Sequence, residues 1–309
     1  MKAVRQDRFH SIAARLRNKV ELSSMVIGTM KFCAWFFLFN SIVFLAAQTP
    51  ARTPPPPLHA LSTFATDQPD QLAIHNDIMA QKPFSVIGPR GALLGQQDGS
   101  FEAWIFPWKI LSHMRIVAEM KDYAVPIDVN EQAASIDVQP GHTTITFSHA
   151  NFTVREMLFA PQTAPEGAGA LAYYQIQAVR PMTLTFSFMP EMQRMWPALS
   201  DDRPSPEWVR TGDSGFYILH LNFPNHAAAV AMPTAQYGIL PPYQERPKDY
   251  PLQFVIHFDP ATDSNKIYPL FMTTAETAAT STMSALAGRL QALNDDFHEL
   301  YSDTQKHFQ

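Results

Sequence analysis

Alternation of apolar and polar residues along short segments constrains the fold of this chain more than any other sequence feature. Residues 182–188 read Met-Thr-Leu-Thr-Phe-Ser-Phe, residues 252–258 read Leu-Gln-Phe-Val-Ile-His-Phe, and residues 144–148 alternate in the same way. Successive side chains of a strand point to opposite faces, so each segment predicts a half-buried strand. Weaker strand candidates are Lys109–Met120, Phe152–Phe159, Leu171–Val179, Phe216–Leu221, Ala227–Ala231 and Lys266–Thr273.

The stretch from Gly88 to Leu111 combines short apolar runs with turn residues. Gly88-Pro89-Arg90-Gly91 separates the apolar run 84–87 from the run 92–94, and Asp98-Gly99 precedes the run 101–105. Glycine accepts the positive φ of tight turns, so these breaks predict consecutive hairpins. Pro107 cannot donate to a sheet ladder and is expected at a strand end or edge.

The numbers of prolines and glycines also favour a mainly β fold. The chain has 26 prolines and only 12 glycines, which favours punctuated strands and rigid loops over long helices. More than ten strands separated by turn signals predict a mainly β fold, a large antiparallel β-sandwich spanning residues 67–280. Two long segments, Pro190–Trp208 and Met232–Pro251, lack the alternation and are expected to be irregular.

The N-terminal region is typical of an exported protein. Residues 1–47 join a basic segment to the apolar stretch 25–47, which fits a signal peptide or, as the competing reading, an uncleaved membrane anchor. Translation is expected to start at Met25 or Met30. Either reading predicts a secreted or periplasmic body, with a membrane contact only through residues 25–47. Residues 48–66, with four consecutive prolines, predict an extended linker.

The C-terminal residues change to a helical period. Between residues 281 and 309, apolar side chains recur every three or four positions, with acidic residues on the other side. This pattern predicts one amphipathic helix of about 25 residues whose apolar stripe must be buried against another surface.

Charge and cysteine content restrict the possible chemistry. Residues 48–309 hold 16 Lys and Arg against 26 Asp and Glu, and the single cysteine, Cys33, lies in the apolar leader. An acidic body disfavours nucleic acid as a partner, whereas a neutral glycan fits it. The sequence contains no HExxH, P-loop, GxGxxG or GxSxG motif, so we expect no metal site, no cofactor and no catalytic residue.

Two sequence blocks carry a family resemblance. Residues 91–110, with Gly91–Gly95, Asp98–Trp104 and Pro107–Ile110, and residues 190–198 resemble the N-terminal β-sandwich of bacterial glycogen-debranching-type glycoside hydrolases. The resemblance covers roughly residues 70–309. It implies a galactose-mutarotase-like supersandwich, a linker helix over residues 281–309, and a partner (α/α)₆ barrel that carries the catalytic acids. We therefore expect a chain that lacks this barrel.

Aromatic residues are the candidate contacts to a glycan or to a barrel. Their flat apolar faces can stack on sugar rings or pack against a neighbouring domain. The candidates are Trp104, Trp108, Trp196, Trp208, Tyr237 and Tyr243. Packing in the core is the competing reading for the first two, and coverage of a barrel-facing surface for the others.

The sequence therefore predicts a non-catalytic sandwich domain of a secreted debranching-type glycoside hydrolase, in a truncated or split chain. This domain would support a catalytic barrel and contact α-glucan or another neutral glycan. Two alternatives stay open. One is a stand-alone carbohydrate-binding module, and the other is a mutarotase-like sugar epimerase, which needs a histidine pair and a glutamate in one cleft.

Overall fold

The structure is a computed structural model, and it describes residues 54–65, 72–195, 203–222, 225–238, 251–276 and 282–308. The predicted leader, residues 1–47, and residues 48–53 of the predicted linker lie outside these ranges, whereas the four consecutive prolines at 54–57 lie within them. None of the helices in the described part of the chain has the length and apolar character needed to cross a membrane.

In the described part of the chain, eighteen strands form two antiparallel sheets. In chain order the strands are β1 (Leu61–Ser62), β2 (Ile74–Asp77), β3 (Pro83–Ile87), β4 (Gly91–Gln96), β5 (Phe101–Ile105), β6 (Trp108–Glu119), β7 (Ile127–Asp128), β8 (Ala133–Val138), β9 (Thr143–His149), β10 (Phe152–Phe159), β11 (Leu171–Ala178), β12 (Met182–Arg194), β13 (Ser205–Thr211), β14 (Ser214–Leu221), β15 (His226–Ala231), β16 (Gln236–Tyr237), β17 (Leu252–Phe258) and β18 (Lys266–Glu276). A 3₁₀ turn covers Asn130–Gln132, and three helices follow β17: α1 (Pro260–Asp263), α2 (Thr282–Asp295) and α3 (Phe297–His307).

The ten-stranded sheet runs β13-β14-β15-β18-β11-β10-β9-β8-β2, with β1 paired to β18. The eight-stranded sheet runs β16-β17-β12-β6-β5-β4-β3, with β7 paired to β6. Side chains of the two inner faces form one continuous core, in which Phe186 and Phe254 of one sheet meet Ile145 and Leu270 of the other. The mainly β, sandwich-type fold is as the alternation predicted.

The predicted hairpins near residue 100 are confirmed. Strands β3, β4 and β5 pair in sequence, and Gly99 adopts φ +81° in the turn between β4 and β5. A Cβ at Gly99 would lie 2.3 Å from the ring of Phe147, so both the backbone angle and the space require glycine. Pro107 lies between β5 and β6, at a strand end as expected.

The prediction of an irregular segment over Pro190–Trp208 is wrong at both ends. Strand β12 continues to Arg194, and β13 begins at Ser205. A bulge around Pro190 interrupts the alternation of β12, and Pro206 lies in an edge strand, where a missing N–H is tolerated. Within the predicted linker, Leu61 and Ser62 pair with β18, so sheet structure starts before residue 67. Of the second segment, residues 239–250 lie outside the described ranges.

The predicted C-terminal helix forms as two helices joined at Asp296. Its apolar stripe is buried on the outer face of the ten-stranded sheet, where Leu290 and Phe297 contact a second core that includes Phe159 and Phe271. Phe64 of the N-terminal segment packs on the ring of Tyr301 as well. The sequence predicts that this stripe is buried against another surface, and that surface is the outer face of the ten-stranded sheet.

Candidate functional site

The outer face of the eight-stranded sheet, here called the open face, carries mostly polar and partly exposed side chains. Along β12 the residues Thr183, Thr185 and Ser187 point outward, while the residues between them are buried. Arg115 of β6 and Gln253 of β17 are the register partners of Ser187 on either side. Because the long helices pack on the other sheet, this face is the natural place to look for a ligand site.

Trp104 lies on the open face and is held by its neighbours. Its Nε1 donates a hydrogen bond to Glu102 Oε1 at 2.9 Å, and Lys109 Nζ lies 5.7 Å from the ring centroid. Lys109 Nζ is also 3.3 Å from Glu102 Oε2, so one carboxylate fixes both the ring and the cation. The indole is half-buried, which leaves part of its surface available for contact.

Trp108 is an interior residue. It is only 7% exposed and stacks on His226 of the opposite sheet, with ring centroids 4.5 Å apart and an interplanar angle of 16°. Burial lowers the pKa of His226, which favours the neutral imidazole against the indole. Trp108 is therefore part of the core, and it is not placed to contact a ligand on the open face.

Trp208 and Tyr237 come together at the edge of the sandwich where β13 and β16 lie. Their ring centroids are 5.5 Å apart, and both also pack against Tyr217, whose hydroxyl donates to the carbonyl of Gln253 at 2.8 Å. We call Trp208, Tyr217, Tyr237 and Phe254 the edge cluster. Trp208 is half-buried and Tyr237 is 48% exposed. The other two candidates, Trp196 and Tyr243, lie outside the described residues.

Ser112, His113 and Glu191, here called the Ser112 cluster, meet on the open face where β6 and β12 both bulge. Ser112 Oγ donates to Glu191 Oε1 at 2.5 Å and lies 2.8 Å from His113 Nδ1. Ser112 is buried, whereas the imidazole of His113 is exposed. The sequence does not predict this cluster, because Ser112 and Glu191 are 79 positions apart and only the register of the sheet brings them together.

Other histidine–carboxylate pairs lie at the surface. His220 Nε2 is 3.2 Å from Glu207 Oε2, and His75 Nδ1 is 2.7 Å from Asp137 Oδ1. The hydrogen bond that His75 donates to the carboxylate of Asp137 raises the pKa of His75. Within the ranges that the structure describes, no three His, Cys, Asp or Glu side chains converge as a metal site.

Glu156 is a fully buried carboxyl between the two sheets. Tyr174 Oη donates to its Oε1 at 2.9 Å, and Oε2 has no hydrogen-bond partner among the residues that the structure describes. Desolvation raises the pKa of Glu156 to about 8, against the smaller opposing effect of the Tyr174 hydrogen bond, and Asp98 raises it further. The buried position gives this carboxyl no contact with a ligand on the open face.

Comparisons with known proteins were made for the sequence and for the fold. No family model matches the chain, and no curated protein matches it. Among solved structures, a bacterial glucoamylase complexed with acarbose matches with a TM-score of 0.50 and 6% sequence identity. The match covers 80% of this chain and 40% of that chain, so the present chain spans about two fifths of the glucoamylase. At this identity the likeness establishes a shared fold.

Proposed function

We propose that this chain is a non-catalytic sandwich domain of a secreted, debranching-type glycoside hydrolase. In this proposal it supports an (α/α)₆ catalytic barrel, which supplies the hydrolytic acids, and it contacts a neutral glycan such as an α-glucan through the open face. The observation that carries the proposal is the fold shared with part of a bacterial glucoamylase over 80% of this chain. More than half of that glucoamylase lies outside the match.

Trp104 is the residue best placed for glycan contact. Its ring lies on the partly exposed open face and is fixed by Glu102, so little side-chain entropy is lost when a sugar stacks on it. The carboxylate of Glu102 and the ammonium of Lys109 lie beside the ring and can bind sugar hydroxyls. The acidic body of the chain is compatible with such an uncharged ligand.

The edge cluster is the candidate contact to the barrel. Tyr237 exposes half of a large aromatic side chain at the sandwich edge, beside the half-buried Trp208. An aromatic surface of this kind gains stability when another domain covers it. We assign Trp208 and Tyr237 to barrel contact and Trp104 to glycan contact, so that the two roles can be tested separately.

Titration with maltoheptaose tests the glycan contact. We expect a Kd in the micromolar to millimolar range and at least a tenfold weaker Kd in Trp104→Ala, with Trp208→Phe binding as the parent chain does. Equal loss in Trp208→Phe would move glycan contact to the edge cluster. No binding of maltoheptaose, glycogen or starch would remove the glycan part of the proposal.

Reconstitution tests the barrel support. The reading frame next to this gene is expected to encode an α-helical barrel, and co-expression with this chain should release reducing sugar from α-glucan. Tyr237→Ala should weaken the association, whereas Trp104→Ala should leave it intact. Binding of glycan without any effect on a hydrolase would favour the stand-alone binding module.

A mutarotase-like epimerase is the second candidate, because the Ser112 cluster places one histidine and one glutamate together on a sheet face. Polarimetry of freshly dissolved α-glucose tests it. Acceleration of mutarotation that is lost in His113→Ala would establish this activity, and an unchanged rate would exclude it for glucose.

We also propose that residues 25–47 direct the chain out of the cytoplasm, as a cleaved signal peptide or as an anchor. Cell fractionation followed by N-terminal sequencing distinguishes the two. Cleavage near Ala47 gives a free secreted or periplasmic chain, and an intact leader in the membrane fraction gives an anchored one. A cytoplasmic chain with its leader intact would contradict the proposal.

A further inference from the structure

The Ser112 cluster is built on unusual backbone. His113 has φ +54° on β6 and Met192, beside Glu191 on β12, has φ +47°. One register shift lies at residues 113–114 of β6 and the other at residues 191–192 of β12, with the pairs Ser112–Met189 and Leu111–Pro190 between them, so each strand bulges once beside the cluster. A non-glycine residue in this conformation costs of order 1–3 kcal/mol and persists where the surroundings hold it. Such strained positions are concentrated at ligand sites, which directs attention to the side chains that they present.

The hydrogen bonds of the cluster fix the tautomer of His113. Ser112 has one hydroxyl proton, and Oγ donates it to the carboxylate of Glu191. The contact of 2.8 Å between Oγ and His113 Nδ1 then requires Nδ1 to carry the proton that it donates to Oγ. The neutral imidazole therefore presents Nε2 as an acceptor. Among the residues that the structure describes, none forms a hydrogen bond with Nε2.

We infer that His113 Nε2 and Glu191 Oε2 form a binding site for the hydroxyl groups of a neutral saccharide, and this inference rests on the glycan contact proposed above. Two acceptors on one exposed surface are complementary to adjacent hydroxyl donors. The carboxylate of Glu191 disfavours an anionic ligand such as a phosphate. A metal ion is disfavoured because the described residues offer no third ligand of the usual kinds.

The register places this acceptor pair and Trp104 on the same face of the sheet, far enough apart to contact different rings of one oligosaccharide. Lys109 is the register partner of Trp104, and Ser112 lies three residues further along the same strand. The bulge at Ile110 shortens the rise from Lys109 to Ser112, but Glu191 on β12 lies two strands away from Trp104 on β5. Two strand spacings are about 10 Å, so the two sites lie further apart than a single sugar ring reaches. The inferred ligand is therefore an oligosaccharide that stacks on Trp104 and donates hydroxyl protons to His113 and Glu191.

An imidazole ¹⁵N NMR titration of the full chain with maltoheptaose tests this site. Before addition, we expect His113 in the Nδ1–H tautomer. On addition, the Nε2 resonance of His113 and the indole resonance of Trp104 should both shift. His113→Ala should weaken binding at least tenfold, while His257→Ala, which removes another exposed histidine of the open face, should leave the Kd unchanged.

The outcomes separate the inference from the proposed function. A shift of Trp104 without a shift of His113, or an Nε2–H tautomer in the free chain, would overturn the site and leave the Trp104 contact standing. If neither resonance shifts on addition of maltoheptaose, cellohexaose or xylohexaose, both the glycan contact and the site are overturned. Equal weakening by His113→Ala and His257→Ala would also overturn the inference, because it would indicate a general effect on the face.

Discussion

The two outer faces of the sandwich differ in what covers them, and the strands show why. Strands β15 and β18 are buried along nearly their whole length, because the core lies on one side and the helices lie on the other. Strands β12 and β17 of the eight-stranded sheet alternate between buried and partly exposed residues. A continuous apolar run therefore marks the covered sheet, and strict alternation marks the sheet that keeps a face for contact with a ligand.

The difference between the faces predicts unequal costs for removing an aromatic ring from each. Phe297, the first residue of α3, is fully buried and contacts the rings of Phe159, Tyr173 and Phe271. Phe297→Ala should lower the free energy of unfolding by about 3–5 kcal/mol, the usual range for truncating a buried phenylalanine. Trp104→Ala on the open face should cost no more than about 2 kcal/mol, because the ring is already half exposed.

Urea unfolding of both variants measures this contrast. Glu299→Gln, at an exposed position of the same helix, is the control for Phe297→Ala and should lie within about 0.5 kcal/mol of the parent chain. A small effect of Phe297→Ala would show that the helical cover adds little to the sandwich, and the two faces would then be energetically alike.

Glu156 differs from the polar residues of the open face, because its carboxyl group lies in the core between the two sheets. Burial raises its pKa in the folded chain to about 8 from the ordinary value of 4.5, so the folded state holds the proton more tightly than the unfolded state. Stability should therefore be full below about pH 4.5 and fall as the pH rises towards 8, by up to about 1.4 kcal/mol per unit. Glu156→Gln should remove this slope.

Tyr174→Phe tests whether Glu156 causes this pH dependence of the stability. The Tyr174 hydroxyl donates to Glu156 and favours its ionised form, so its removal should raise the pKa of Glu156 further. The fall in stability should then extend to higher pH. Unfolding midpoints measured from pH 4 to 9 decide this, and an identical pH profile in the parent chain and Glu156→Gln would show that Glu156 is ionised in the folded state.

The backbone at His113 predicts a smaller effect of the opposite sign. Glycine adopts positive φ without the penalty of about 1–2 kcal/mol that other residues carry, so His113→Gly should raise stability by up to about 1 kcal/mol. Gly212→Ala is the mirror control, since Gly212 has φ +65° with open space around its Cα. It should lose about 1 kcal/mol. Destabilisation by His113→Gly would indicate that the histidine is retained for the fold.

How much the sequence could predict depended on how local the signal was. The turns at Gly91 and Asp98–Gly99 and the strands with strict alternation were predictable, because each depends on neighbouring residues. Strand β13 was not, because Pro206 and the short apolar run that follows it resemble a loop. The Ser112 cluster was also beyond reach, because paired bulges fix the register between β6 and β12 and leave no mark in the spacing of Ser112 and Glu191.

The smallest predicted effect concerns the ion pair between Arg115 and Asp128 on the open face. Arg115 Nη2 donates to Asp128 Oδ2 at 2.5 Å, and this hydrogen bond raises the pKa of Arg115. Both side chains are partly exposed, so water and salt screen the attraction, and Arg115→Gln should cost only about 0.2–1 kcal/mol. The cost should shrink between about 0.05 and 0.5 M salt, because the Debye length falls roughly threefold over this range. A loss above that range that is insensitive to salt would mean that Arg115 is effectively buried, and the open face would then be covered by a part of the molecule and unavailable to a ligand.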